Sequence, residues 1–330
     1  MTRVVRFHEI GGPEVLRFED RDIGAPGKGE MRVRIEAIGL NRAEAGFRAG
    51  RYLEAPQLPA MIGYEASAVV EALGEGVSGF KPGDAVSVMP AFSMNKYGVY
   101  GEAAIVPAQA VVKRPKGLSA VEAAAVWMQY LTVYGAFIEV AKIAKGDFVI
   151  IQAASSSVGL AAIQICNLVG AVPIATTRTG AKVAALRDAG AAHVIATQEQ
   201  DLVAEVMRIT GGEGARVIFD PVAGPGVEKL VEAIRHTGIL IVYGSLSGQP
   251  TPFPRTASRK ALSMRGYTLF EIMGDPTKRA RAIDFVLRGL ESGALKPIVA
   301  KTFPLEQIVE AHRYLESNQQ FGKIVVTVGA

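Results

Sequence analysis

The chain has 330 residues, of which 49% are hydrophobic and 21% charged, a balance that fits a folded globular protein with core enough for two domains. Its formal net charge is +4 without a dense Lys/Arg block, which argues against nucleic acid as a principal partner and suits an anionic cofactor. The single cysteine, Cys166, excludes an internal disulfide and a multi-cysteine zinc cage; no apolar run approaches the about 20 residues of a membrane span, and the opening MTRVVRFHEIGG lacks the apolar block of a signal peptide, so a cytoplasmic setting is expected.

Residues 1–115 carry short alternating segments (RVVRF, MRVRIEAIGL, EASAVVEAL, DAVSVM, AAIVP) separated by Gly- and Pro-containing turns, the pattern of a β-rich lobe. From residue 119 a long helix is expected over SAVEAAAVWMQYLTVYGAFIEVA, with Ser119 as N-cap and Glu122 completing a capping box. Apolar strands then alternate with helices: FVIIQ, VPIATT, AHVIA, RVIFD and ILIVYG against SVGLAAIQICNLVG, AKVAALRDAG, EQDLVAEVMRITG and GVEKLVEAIRHTG. Continuously apolar strands imply a parallel sheet covered on both faces, and Gly170, Gly190, Gly211 and Gly238 read as left-handed helix ends. Beyond Pro254, MRGYTLFEI reads as a sixth strand, residues 276–292 and 304–316 as helices, and GKIVVTVG as a closing strand. Cys166 falls on the apolar face of a helix, as an inert buried thiol would.

The stretch IIQAASSSVGLAAIQ, residues 150–164, has the strand–turn–helix form of a dinucleotide-binding unit with Ala154, Ser156 and Gly159 at the three positions usually held by glycine. Small side chains preserve the close approach, and the free N–H groups at a helix N-terminus still offer an anion site to which Ser155, Ser156, Ser157 and Val158 contribute hydroxyl or backbone donors. At the end of the next strand, about 20 residues beyond such a turn, an NAD site presents an acid to the ribose diol. Here Thr177, Arg178 and Lys182 stand instead, groups that would hold a 2′-phosphate through charge-assisted hydrogen bonds and so favour NADPH. An ordinary solvated arginine in an α/β core remains the alternative reading of these residues. Asp220, ending the fourth strand, reads as a cap for the next helix. His8, His193, His236 and His312 are scattered without metal-ligand spacing.

Taken together, GLNRAEAGFRAGRY (39–52), GYEASAVVEALGEGVSGFKPGDAV (63–86), AAAVWMQYLTVYGAF (123–137), the AASSSVG turn, LRDAGAAHVI (186–195), YGSLSGQPTPFP (243–254) and FGKIVV (321–326) resemble the medium-chain dehydrogenase/reductase superfamily, in its zinc-independent quinone oxidoreductase branch. The resemblance covers essentially the whole chain. It implies an α/β protein with a GroES-like β-rich catalytic domain (1–124 and 268–330) around a Rossmann doubly wound parallel-sheet domain (125–267), a cleft between them, and a homodimer joined through the last nucleotide-domain strand near residues 267–272.

By the same resemblance, Asn41, Tyr64 and Met128 (or a neighbour) stand where the zinc alcohol dehydrogenases carry metal ligands, so no metal is expected. Asn41 and Tyr52 match residues lining the nicotinamide cleft, and Tyr64 is a third hydrogen-bond donor candidate. Thr132, Tyr243, Gly244, Gly322 and Lys323 match cofactor-contacting stretches, with Lys323 otherwise a surface charge. Members of this branch often carry Asp where Glu44 stands and an aromatic where Gly46 stands. The chemistry implied is hydride transfer from NADPH to a quinone or α,β-unsaturated carbonyl, whose oxygen receives the developing charge and needs hydrogen-bond donors. An enoyl-thioester reductase and a low-turnover NADPH-binding or RNA-associated protein are the competing expectations.

Overall fold

The alternating segments of the first third become strands, as a period of two requires when one face is buried. The computed structural model describes residues 1–329. In chain order its elements begin with β1 (Thr2–Arg6), β2 (Arg17–Arg21), β3 (Glu30–Gly39), helix α1 (Arg42–Arg48), β4 (Glu65–Leu73), β5 (Ala85–Val88), β6 (Ala103–Pro107) and β7 (Val111–Lys113). Next come α2 (Ala120–Ala123), α3 (Trp127–Tyr134), β8 (Phe148–Ile151), α4 (Ser157–Val169), β9 (Val172–Thr177), α5 (Val183–Asp188), β10 (His193–Ala196), α6 (Leu202–Ile209), β11 (Ala215–Asp220), α7 (Val227–Leu230), β12 (Ile234–Val242) and β13 (Ser263–Gly266). Helices α8 (Phe270–Met273) and α9 (Pro276–Glu291), strand β14 (Val299–Pro304), α10 (Ile308–Glu316) and β15 (Lys323–Thr327) complete the chain.

These elements form two compact units, one of Met1–Met128 with the stretch from Pro297 onward, the other of Gln129–Lys296. In the first unit the strands run in the order β14-β15-β3-β4-β5-β7, with β6 also paired to β3, and β1-β2 form a separate hairpin. The closing strand therefore rejoins the N-terminal sheet: β15 lies antiparallel to β3, with Val325 opposite Gly39 and Val326 opposite Ile38. Burial alternates along β3, whose Met31, Val33, Ile35 and Ala37 are buried.

The second unit is a parallel sheet in the order β10-β9-β8-β11-β12-β13, the doubly wound arrangement whose ligand crevice lies beyond the carboxyl ends of the strands. Ile150, Ile174, Ile195, Ile218 and Leu240 form its core, which explains the unbroken apolar strand segments. Gly170, Gly190 and Gly211 all take left-handed φ, and Gly170 caps α4.

Four expectations need correction. The helix expected from residue 119 has its capping box, but α2 stops at Ala123 and the helix resumes only at Trp127, changing to a π-helical turn over Gly135–Val140. The interruption has a visible partner, because the Trp127 N–H is drawn out to Glu65 Oε1 at 2.8 Å. Gly238 ends no helix: α7 is short, and residues 234–242 pair with β11 and β13, so sheet pairing overrides the helical period of IRHTG. The sixth strand ends at Gly266, and the LFEI stretch expected to continue it forms α8. The second domain extends to Lys296 instead of residue 267, since α9 packs Phe285 on Tyr134 with ring centroids 5.1 Å apart and pairs Arg281 with Glu139 at 2.9 Å. Among the described residues, no helix is long and apolar enough to cross a membrane.

Candidate active site

In the second unit, the turn after β8 shows how alanine and serine do the work of glycine. The left-handed residue of the turn is Ala153, at φ 49°, one position before the alanine aligned with the first glycine. Ala154 follows, fully buried. Gly159 is required by close approach: a Cβ there would lie 2.6 Å from the Ala154 Cα and carbonyl oxygen. Ser156 is the N-cap of α4, its Oγ accepting from the Gly159 N–H at 3.0 Å. The first N–H groups of α4, at Ser157 and Val158, are the donors that a helix N-terminus offers to an anion.

At the end of β9 the charge is positive. Lys182 Nζ hydrogen-bonds the Ser155 hydroxyl at 3.2 Å, joining the helix-entry turn to the segment after β9. Desolvation first, and the neighbouring Arg178 guanidinium second, push the Lys182 ammonium below its ordinary pKa, as expected where two cations converge. Thr177 closes β9, and its carbonyl accepts from the Thr197 N–H at 2.9 Å. The acid of this region, Glu199, is engaged by the Gly180 N–H at 2.8 Å. The arrangement fits a dianionic phosphate better than a bare ribose diol. Thr132 is buried on α3. Tyr243 stacks on Phe219 with ring centroids 3.8 Å apart, and its hydroxyl is buried without a hydrogen-bond partner. Gly244 is held by contact, as a Cβ there would lie 2.8 Å from the Pro221 carbonyl oxygen. Asp220 caps the turn after β11, accepting from the Val222 and Ala223 N–H groups at 2.7 and 3.1 Å. Cys166 is fully buried, and burial raises its thiol pKa far above the ordinary value, in keeping with an inert side chain.

The first unit holds a buried polar cluster that the sequence did not disclose. Lys323, at the start of β15, reaches Asn41 Oδ1 at 2.5 Å and Glu65 Oε2 at 2.7 Å. Both members of the Lys323–Glu65 pair are fully buried. Asn41 Nδ2 donates to the Gly39 carbonyl and to Glu44 Oε1, each at 3.1 Å. Glu44 Oε1 also accepts from the Tyr64 N–H at 3.2 Å, while its Oε2 is buried without a partner. Burial lifts the Glu44 carboxyl to about 7, with Lys323 and the Asn41 hydrogen bond pulling the other way. Two expectations change accordingly. Lys323 is not a surface charge, and its ammonium is held within this cluster. The Asn41 amide is likewise engaged on both sides, so it is a ligand of Lys323 before it is a donor to an acceptor. Gly322 takes φ 106° and lies so close to Ile298 that a Cβ would sit 2.4 Å from that carbonyl oxygen; Lys323 N–H then donates to the same oxygen at 2.8 Å.

Beside this cluster runs a chain of rings. Centroids are 6.2 Å apart for Tyr52–Tyr64, 5.7 Å for Tyr64–Phe92 and 5.8 Å for Phe92–Tyr97. Tyr64 is buried and Tyr52 half-buried. The two hydroxyls interact with each other. Desolvation raises both phenols above their ordinary value, so both are protonated at neutral pH.

A resident zinc ion does not fit these residues. Among the described residues, no group of three His, Cys, Asp or Glu could hold a metal. The carboxylate at the corresponding place, Glu65, already carries the Lys323 ammonium and the Trp127 N–H, and an amide with a phenol supplies a poor ligand set for that ion.

Comparison with known proteins places this architecture. Residues 27–116 match the model described as alcohol dehydrogenase GroES-like domain, and residues 189–326 the model described as zinc-binding dehydrogenase. Human quinone oxidoreductase is 31% identical over 99% of this chain and 98% of that protein. The 2-haloacrylate reductase of a Burkholderia species is 30% identical over 99% of both chains. The crystal structure of Escherichia coli quinone oxidoreductase complexed with NADPH matches with a TM-score of 0.91 and 29% identity, over 98% of this chain and 99% of that one. A β-rich unit closed by the C-terminal strand, with a doubly wound parallel-sheet unit inserted in its sequence, is the architecture of a dinucleotide-linked dehydrogenase or reductase. The chain belongs to the medium-chain dehydrogenase/reductase superfamily, in its zinc-independent quinone oxidoreductase branch.

Proposed function

We propose that this protein uses NADPH to reduce an activated, conjugated acceptor, a quinone or an α,β-unsaturated carbonyl compound, without a metal. The observation that carries this reading is the buried Lys323–Asn41–Glu65 contact, with 2.5 and 2.7 Å separations, which engages Asn41, one of the residues that the resemblance aligns with a metal ligand of the zinc relatives. With Asn41 bound to a fixed ammonium, polarisation of the acceptor falls to hydroxyl groups. Such groups suffice for a conjugated acceptor, whose incoming charge is delocalised to oxygen. The names of the relatives, quinone oxidoreductase and 2-haloacrylate reductase, support the same acceptor class.

NADPH, when bound, supplies the hydride. Arg178, Lys182 and Thr177 would hold its 2′-phosphate; Ser155, Ser156 and the N–H groups of Ser157 and Val158 would hold the pyrophosphate, with Gly159 keeping α4 against the turn. Thr132, Tyr243, Gly244 and Gly322 would supply further contacts to it. Tyr52 would donate to the acceptor oxygen as charge accumulates there, and the neighbouring Tyr64 hydroxyl would support the charge that develops on the Tyr52 oxygen. Asn41 and Lys323 keep Glu65 and Glu44 in place beneath Tyr64. We further read the protein as a cytoplasmic homodimer joined through the open edge of β13, without a nucleic-acid partner, in line with its mild net charge of +4.

Steady-state NADPH oxidation tests the reading. Turnover is expected with 1,4-benzoquinone or 2-cyclohexenone and not with simple aldehydes. Turnover confined to crotonyl thioesters would select an enoyl-thioester reductase instead, and no turnover with any conjugated acceptor would reject the assignment.

A further inference from the structure

Tyr52 lies in a segment, residues 51–59, that belongs to no helix or strand. Nothing in a sheet ladder or helix fixes its ring, yet the reading above asks its hydroxyl to meet an acceptor oxygen within a few tenths of an ångström. Two residues on, the structure supplies a tie. Glu54 Oε2 accepts from the Ser93 hydroxyl at 2.5 Å and from Asn95 Nδ2 at 3.2 Å, and its Oε1 accepts from the Met94 N–H at 2.9 Å. Asn95 returns the contact by donating to the Ala55 carbonyl at 2.9 Å and accepting from the Gln57 N–H at 2.8 Å. The Ser93 hydroxyl also accepts from the Asn95 N–H at 3.1 Å, so the receiving loop is itself closed.

The two loops joined in this way are also the two ends of the ring chain. Tyr52 meets Tyr64, Tyr64 meets Phe92, and Phe92 immediately precedes Ser93. Tyr97, last in the chain, is fixed by its hydroxyl on Glu30 Oε1 at 2.7 Å. On its other flank, Tyr52 comes within 3.7 Å of the place a Gly46 Cβ would take, and the Arg51 N–H donates to the Gly46 carbonyl at 2.8 Å. Tyr52 is thus held by rings through one route and by a carboxylate through another. Three charge-assisted hydrogen bonds to a half-buried carboxylate suffice to order a short loop whose freedom would otherwise be costly. The Glu54 charge also acts on Tyr52 and Tyr64 directly, in the sense that keeps both phenols protonated.

We propose that Glu54 is a positioning residue that, through Ser93, Met94 and Asn95, holds the Tyr52 hydroxyl in the pose from which it donates to the acceptor. The inference rests on the functional reading above, and the test separates the two. Glu54→Ala, Tyr52→Phe and the double variant are compared for kcat and KM with NADPH and 1,4-benzoquinone, with NADPH affinity followed by fluorescence titration.

The expected result is a 10- to 100-fold fall in kcat for Glu54→Ala, NADPH affinity within twofold of the parent, and less than a twofold further loss when Glu54→Ala is added to Tyr52→Phe, since coupled residues do not add. Glu54→Gln, whose amide oxygen still accepts from Ser93 and Asn95, should recover a large part of the loss. Asn95→Ala, which removes the tie from the other loop, should repeat it if Glu54→Ala does not fold. Multiplying effects of Glu54→Ala and Tyr52→Phe, or an NADPH affinity that falls together with kcat, would overturn the positioning role. A Tyr52→Phe variant of full activity would instead remove the functional reading on which it stands.

Discussion

At the residue scale, the decisive charges are those that the fold gathers at one place. Arg178 and Lys182 converge at the end of β9, and the nearby carboxylate of Glu199 is occupied by the Gly180 N–H at 2.8 Å. Arg178→Ala should therefore weaken NADPH binding by about 1–3 kcal/mol, the worth of a lost charged hydrogen bond, and leave NADH binding nearly unchanged. Parallel titrations of both dinucleotides check this, and equal losses would remove the 2′-phosphate assignment. Lys323 is the opposite case, a cation whose partners are all internal. Lys323→Met should cost about 3–5 kcal/mol in denaturant unfolding, because Glu65 is left buried and uncompensated. Arg178 and Lys182 were readable from their place after an apolar strand. Lys323 was not, since nothing in FGKIVV says that its side chain turns inward to meet Asn41 at 2.5 Å. Glu54 was equally hidden: its partners lie 39 to 41 positions away in a loop that no short motif announces.

At the scale of elements, two groups give the first unit an opposed pH response. Burial pushes the Glu44 carboxyl of α1 up to about 7 when folded, against the ordinary 4.5 of a solvent-exposed glutamate. Folding therefore takes up a proton between those values: its contribution is complete below 4.5 and is lost as pH rises through about 7, on the order of 3 kcal/mol in all. His312 of α10 behaves in the reverse sense. It is buried beside Tyr100, whose hydroxyl meets its Nε2 at 3.1 Å, and burial with the Arg48 charge holds its pKa down to about 3. Its contribution is present above 6.5 and is lost as pH falls toward about 3. Melting temperatures measured from pH 5 to 9 should show the alkaline decline flattened in Glu44→Gln, and an unchanged slope would contradict the assignment. In the second unit, Gly159→Ala would drive a methyl to 2.6 Å from the Ala154 backbone. A destabilisation of about 1–3 kcal/mol is expected, as for an overpacked core. The AASSSVG turn was legible as an element because strand, small residues and helix follow one another locally. The break between α2 and α3 was not, because its cause, Glu65, lies 62 residues away.

At the scale of the whole molecule, two predictions follow from composition and topology. Chelators should leave NADPH-linked turnover unchanged, and elemental analysis should find less than stoichiometric zinc, since the donor set beside Tyr64 is held by an ammonium. Strand β13 lies at the edge of its sheet with one side unpaired, and an open edge is a template for pairing with another chain. Sedimentation should accordingly report a dimer, and a monomeric mass at micromolar concentration would reject that interface.

By itself, the amino-acid sequence determined the succession of a β-rich section and an alternating α/β section, the serine-capped turn at 153–159 and the positive end of β9. These depend on periodicities of two and 3.6 residues and on neighbours within one strand–turn–helix unit, which a linear chain displays directly. Only the tertiary structure decided that β15 lies on β3, that Lys323 joins Asn41 and Glu65 in the core, and that Glu54 ties the Tyr52 segment to residues 93–95. Each of those contacts joins residues far apart in the chain, and its energy comes from burial and hydrogen-bond geometry that exist only once the fold has brought them together.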